Sequence, residues 1–187
     1  MRDRVIRDEI HRDVLVPAHH ARIIDTHEFQ RLRNIQQLST CEFVFPSATH
    51  TRFAHSLGAY FLAGELTSSL QEVQPGLLSD SDAELVQIGA LLHDIGHPPY
   101  SHLLETPEVF ATFHSHEHWG RILLESEDSE IGQVLADVLG EERKQRLFAL
   151  LDGQQECNGV PIAPFLKEII SSQLDVDPMD YMIRDQA

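Results

Sequence analysis

Ala90-Leu91-Leu92-His93-Asp94-Ile95-Gly96-His97-Pro98-Pro99-Tyr100-Ser101-His102 is the stretch on which the reading of this chain turns. An apolar helical run, started by the acidic cap Ser79-Asp80-Ser81-Asp82, ends at His93-Asp94. Two good metal ligands are thereby presented where a helix stops and the backbone turns. Neighbouring side chains leave the backbone in different directions, yet at a helix terminus both can reach one cation. A carboxylate buried beside an imidazole among leucines is costly unless something pairs with it, and a metal ion is the natural partner.

Working outward, His97, His102, His114, His116 and His118 crowd into the residues after the pair. Histidine near its ordinary pKa exchanges protons at neutral pH. Upstream, Arg52 and His55 stand three apart in Phe45-Pro46-Ser47-Ala48-Thr49-His50-Thr51-Arg52-Phe53-Ala54-His55-Ser56-Leu57-Gly58. Near the C-terminus, Leu174-Asp175-Val176-Asp177-Pro178-Met179-Asp180-Tyr181-Met182-Ile183-Arg184-Asp185 offers further carboxylates, of which Asp175, Asp177 and Asp180 compete for a ligand role. Read alone, each has an ordinary alternative. His55 suits a core histidine bonded to backbone, Arg52 a surface salt bridge, and Asp177 an N-cap before Pro178, itself a natural first helical residue. The segments are far apart in sequence, so only a tertiary fold can assemble them.

Helical signals dominate the rest, and the fold reads as all-α. Val14-Leu15-Val16 is a short extended piece at most. A helix is expected from Pro17 to Asp25-Thr26, and a second, capped there, carries Phe29, Leu32, Ile35 and Leu38 on one face. A long helix from about Thr51 ends before Pro75-Gly76, and another runs from Ser79 to the His93-Asp94 pair. Further helices are expected over about His116 to Glu125, Ser129 to Leu139, Glu141 to Leu151 and Pro164 to Gln173. The turn-rich stretch Asp152-Gly153 to Val160-Pro161 reads as a loop.

The chain has 187 residues, 42% of them hydrophobic, which suits one ordinary globular domain. With 14 basic and 30 acidic residues its net charge is −16, which argues against a general surface for extended nucleic acid. A small polyanion is still admissible, because a metal and a few arginines make a local positive pocket. Cys41 and Cys157 match neither a disulfide nor a zinc pattern and read as reduced thiols of a cytoplasmic protein. The charged N-terminus leads into no signal peptide, and no stretch is apolar enough to span a membrane.

Taken together, these segments resemble the HD-domain phosphohydrolase superfamily, and within it the deoxynucleoside triphosphate triphosphohydrolase branch. Asp25-Thr26-His27-Glu28-Phe29-Gln30-Arg31-Leu32-Arg33-Asn34-Ile35-Gln36-Gln37-Leu38 is similar to a stretch typical of that branch, and Asp8-Glu9-Ile10-His11 is a looser match. Several motifs in the right order are far more specific than any one. The resemblance implies a single HD-domain helical bundle over residues 1–187 with a metal site at its centre. It selects His55, His93, Asp94 and Asp177 as ligands, and decides for Asp177 over Asp175 and Asp180. Two imidazoles and two carboxylates suit one divalent Mn, Fe, Ni, Co or Zn ion, with Mg a further candidate. It also implies a catalytic His102 oriented by Glu105, a further active-site histidine at His116, a phosphate contact at Arg52, and sugar contacts at Gln37, Leu38, Tyr181 and Asp185. His97 is expected to be supporting. The implied partner is a nucleotide, and a homo-oligomer fits the resemblance. Two departures stand out. Pro178 occupies the place where triphosphohydrolases often carry a phosphate-binding lysine, and relatives usually continue past the final motif. The second departure suggests either a piece of a longer protein or a minimal domain with an open pocket.

Overall fold

A computed structural model describes residues 2–100, 114–172 and 175–186. The chain opens with a hairpin, β1 (Arg4–Asp8) and β2 (Arg12–Val16), followed by α1 (Ala18–Ile24) and α2 (His27–Gln30). Then come α3 (Arg52–Val73), α4 (Asp80–Leu92), α5 (His116–Glu125) and α6 (Glu130–Leu151). A small hairpin, β3 (Glu156–Cys157) with β4 (Val160–Pro161), precedes α7 (Pro164–Ile170) and α8 (Val176–Arg184). The fold is all-α, as its periodicity predicts.

α3 is the central strut. Thr51 caps it by accepting from the Ala54 amide, and it packs on α4 along one side and α8 along another. Small residues permit this double contact: Ser56, Gly58, Ala59 and Ala63 are all buried. A Cβ at Gly58 would lie 1.8 Å from Asp180 Oδ1, so glycine is required for α8 to sit where it does. In α4, the Ser79 hydroxyl accepts from the Asp82 amide, and Asp80 and Asp82 face the positive end of the helix dipole. Its last two turns, Leu85 to Leu92, are almost wholly buried, which drives the helix end bearing His93-Asp94 into the interior.

Four local expectations are corrected. Val14 and Val16 are indeed inward and Leu15 outward, but they belong to a strand paired with Arg4–Asp8, whose sequence Arg4-Val5-Ile6-Arg7-Asp8 shows no alternation. The Asp8 carboxylate accepts from the amides of Ile10 and His11 at 2.9 Å and so shapes the hairpin turn. The second helix stops early: α2 gives way to a 3₁₀ turn over Arg31–Asn34, and Ile35 is extended. Its backbone is diverted because the Arg52 amide bonds the Ile35 carbonyl at 2.8 Å. The expected loop around residues 152–161 contains the β3–β4 hairpin. Finally, α7 ends at Ile170 rather than at Gln173. By contrast, the expected break near Gly140 is present, with φ +71 in a backbone region that glycine adopts freely.

Among the described residues no helix is long and apolar enough to cross a membrane. A charge of −16 makes self-repulsion the main salt-sensitive term. Raising salt from about 0.1 M to about 1 M contracts the screening length from about 10 to about 3 Å. The Tm should therefore climb by several degrees in a calorimetric salt series; a falling Tm would mean that surface ion pairs outweigh the repulsion.

Candidate metal centre

Four side chains from three places in the chain meet at the inner end of α4. His55 Nε2 lies 3.3 Å from His93 Nε2 and 3.0 Å from Asp177 Oδ1. Asp94 completes the group, with Oδ1 3.4 Å from His93 Nε2 and Oδ2 3.8 Å from His55 Nε2. His93 Nε2 and Asp177 Oδ1 are 4.0 Å apart.

The protons on the two imidazoles are already committed elsewhere. His93 Nδ1 donates to the Ala90 carbonyl at 2.7 Å, one turn back along α4. His55 Nδ1 donates to Asp180 Oδ2 at 2.8 Å. In the neutral rings both Nε2 atoms are then bare lone pairs facing two carboxylates. Acceptors converging in this way repel one another unless a cation lies between them, and among the described residues the one charged donor on them, Arg52, reaches only Asp94. An ion ~2.0–2.2 Å from each donor sets neighbouring donors ~3 Å apart at right angles and ~3.5 Å apart at tetrahedral angles. The separations given above fall around these values, so the donor set fits a divalent transition ion.

Without an ion, a proton takes that role. Burial opposes charge on His55, but the carboxylates of Asp177, Asp180 and Asp94 outweigh it and raise its pKa to about 9. Asp94 and Asp177 are both held below the usual carboxylate range: burial raises each, and neighbouring imidazoles, with Arg52 for Asp94, override it.

The local fold explains why each carboxylate of the last segment has a different task. Asp175 is the N-cap of α8, accepting from the Asp177 amide at 2.9 Å, and not Asp177 as the proline position suggests. Asp177, released from capping, turns to His55. Asp180 lies one turn further on, fully buried, and orients His55 from behind. It also accepts from His11 Nε2 at 2.7 Å and from Arg184 Nε at 2.9 Å and Nη2 at 2.8 Å. Arg184 in turn reaches Asp8 Oδ2 at 3.1 Å. Burial pushes the Asp180 carboxyl up, yet these donors hold it far below its ordinary value. Sequence reasoning weighed Asp180 only as a rival ligand and did not single out Asp8, Arg184 or Arg31. Their signal was the i, i+4 spacing of Asp180 and Arg184.

Arg52 is buried rather than a surface residue, and its guanidinium pairs with Asp94 Oδ2. Arg31 fastens the connector beyond the pair by donating to the carbonyls of Ile95 and His97. His97 Nε2 is 3.3 Å from Asp94 Oδ1, and its ring stacks on His116 at 3.7 Å between centroids. Burial lowers the His97 pKa to about 4, so its ring is neutral at pH 7. That stack needs α5 close by: a Cβ at Gly96 would meet the His116 carbonyl at 2.0 Å.

A cleft of about 520 Å³ opens over these groups. Gln37, Leu38, Arg52, His116, Tyr181 and Asp185 all line it, together with His93, Asp94 and Asp177. The Gln37 Oε1 is buried there without a hydrogen-bond partner among the described residues. His102 and Glu105 lie outside the described residues.

A family model described as "HD domain" matches residues 52–181. The chain belongs to the HD-domain family. It is 38% identical over 182 residues to an uncharacterized protein of Methanocaldococcus jannaschii, covering 97% of this chain and 33% of that one. It is also 38% identical over 207 residues to the human deoxynucleoside triphosphate triphosphohydrolase SAMHD1, again covering 97% and 33%. An uncharacterized protein of Bacillus subtilis is 36% identical over 192 residues, with 98% and 40% covered. This HD domain thus spans about a third of the length of the first two relatives. The matched region contains His55, His93, Asp94 and Asp177 alike.

Two outcomes are expected of this centre. Ion uptake must displace the His55 proton, so Mn²⁺ affinity should weaken as pH falls below about 9, by up to about tenfold per unit. Calorimetric titration at several pH values reads this directly, and a pH-independent affinity would remove His55 from the ligand set. Asp180→Asn should lower Mn²⁺ affinity by about 10- to 100-fold, and unaltered affinity in the folded variant would refute its orienting role.

Proposed function

We propose that this HD domain is a metal-dependent phosphohydrolase that splits deoxynucleoside triphosphates into deoxynucleoside and tripolyphosphate. The observation that carries this reading is the meeting of His55, His93 and Asp177, with Asp94 beside them, beneath a cleft lined by Arg52, Gln37, Leu38, Tyr181 and Asp185. The triphosphohydrolase named among the similar proteins supports the same substrate class.

When bound, the ion supplies positive charge to a phosphoryl oxygen and acidity to a water molecule. Arg52 adds a permanent charge beside it, and its pairing with Asp94 keeps the guanidinium fixed at the cleft floor. Water attacks the α-phosphorus, the bond to the 5′-oxygen breaks, and that oxygen takes up a proton as the deoxynucleoside leaves. His102 with Glu105 is assigned to that proton. His116, stacked on neutral His97, stands at the cleft wall as a further proton-exchanging group.

The sugar end follows from the opposite wall. The partnerless Gln37 Oε1 accepts from a sugar hydroxyl, as does the Asp185 carboxylate, while Leu38 provides an apolar surface. Tyr181 packs against C2′ and leaves no room for a 2′-hydroxyl, which gives a preference for deoxyribose. Pro178, buried on the first turn of α8, brings no charge to the triphosphate. It favours a second reading, a phosphomonoesterase or phosphodiesterase acting on smaller nucleotides. A metal-binding nucleotide sensor without turnover is a third.

Phosphorus NMR of the Mn²⁺-loaded protein with each deoxynucleoside triphosphate separates these readings. Intact tripolyphosphate is expected; orthophosphate or pyrophosphate would establish the second reading, and bound metal with no turnover the third. Asp94→Ala should abolish turnover together with the ion of this centre. Tyr181→Ala should narrow the preference for deoxyribose over ribose substrates, and an unchanged ratio would move that selectivity elsewhere.

A further inference from the structure

A second group of metal-ligating side chains lies away from the cleft, where α1 meets α4. His19 and His20 are adjacent in the first turn of α1, and Glu84 is in the second turn of α4. His19 Nε2 is 2.8 Å from Glu84 Oε1, and His20 Nε2 is 3.1 Å from the same oxygen. The two rings are 4.3 Å apart and inclined at 66°. Consecutive helical residues point ~100° apart, so helix geometry alone does not bring two imidazole nitrogens to one oxygen. All three donor atoms lie within 4.8 Å of one another.

Each donor is also held from outside. Arg143 Nη2 binds the other carboxylate oxygen, Oε2, at 2.5 Å, which turns Oε1 towards the imidazoles. His20 Nδ1 is 2.8 Å from the buried Tyr60 hydroxyl. Outer contacts of this kind orient ligands in metal sites. With an ion on Nε2, His20 carries its proton on Nδ1 and donates it to the Tyr60 oxygen. A hydroxyl accepts as readily as it donates, so that hydrogen bond survives the change of tautomer. Burial, with His19 nearby, lowers the His20 pKa and keeps the ring neutral. Glu84 is ionised: burial raises it, but Arg143 and the two imidazoles bring it to about 2. The His19 side chain is half in water, so solvent can fill the remaining coordination positions.

We propose that His19, His20 and Glu84 form a second ion site, for a borderline transition ion such as Zn²⁺, which fastens α1 to α4. Two imidazoles and one carboxylate with an open position form a donor set that Zn²⁺ accepts. The positive charge of Arg143 beside the carboxylate makes the site weaker than a structural zinc site. Its place on α4 gives it a consequence, because the same helix delivers His93 and Asp94 at its other end.

Zinc stoichiometry tests this without reference to turnover. Wild-type protein at micromolar free Zn²⁺ should hold two ions per chain by equilibrium dialysis and elemental analysis. Asp94→Ala should keep one, and its Tm should rise on adding Zn²⁺. His19→Ala leaves the Glu84–Arg143 pair in place, so the fold is retained, and it should lose the second ion by at least tenfold in affinity. Glu84→Gln should do the same. A single zinc in the wild type, or two in His19→Ala, would overturn the proposal.

Discussion

The hydrogen bond from His55 Nδ1 to Asp180 is the contact on which the centre depends. It keeps a proton on Nδ1, so that once the Nε2 proton is displaced a lone pair faces His93, Asp94 and Asp177. Asp180 can hold that position only while ionised in a fully buried place, which requires the donors from His11 and Arg184. Arg184 is in turn balanced by Asp8. Removing one member of a buried ionic group leaves its partner uncompensated, at a cost of about 3–5 kcal/mol. The absence of a side chain at Gly58 belongs to the same arrangement, since any Cβ there would displace Asp180.

Much of this was legible in the sequence. The apolar run into His93-Asp94 shows a pair driven inward, and the positions of α3, α4 and α5 match the expected ones, with the Ser79 cap marking the start of α4. What escaped has a common cause, which is that pairing across the fold leaves no local trace. β1 reads Arg4-Val5-Ile6-Arg7-Asp8, with no alternation of apolar and polar residues, so only its partner strand defines it. The helix expected through Leu38 keeps its apolar spacing, but the Arg52 amide claims the Ile35 carbonyl and extends the backbone there. Among Asp175, Asp177 and Asp180, the proline rule pointed to Asp177 as the cap. Geometry gives that task to Asp175 because its carboxylate accepts from the Asp177 amide.

The charge distribution reconciles an acidic protein with the polyanionic substrate proposed for it. A field of −16 charges repels phosphates at a distance, so attraction has to be local. The cleft wall supplies Arg52, Arg121 and Lys167, and the donor cluster beneath is built to take a cation. Lys167 is half-buried, and burial lowers its pKa, although Asp152, Glu117 and Asp175 act in the opposite sense. Outside the cleft, arginines such as Arg4, Arg7 and Arg22 are each paired with a carboxylate, so the cationic groups of the cleft stand apart within an acidic surface.

The bonds that hold Asp180 have a further consequence, in the order in which the molecule is made. His11 and Asp180 are 169 residues apart in sequence, and Asp8 and Arg184 are 176 apart. The segment around Asp8 and His11 therefore has to wait for α8 before the two can meet. Helices α3 and α4 can pair early through local contacts, but the imidazole of His55 has no fixed orientation until α8 arrives. The donor set is accordingly unfinished until both ends of this domain have met.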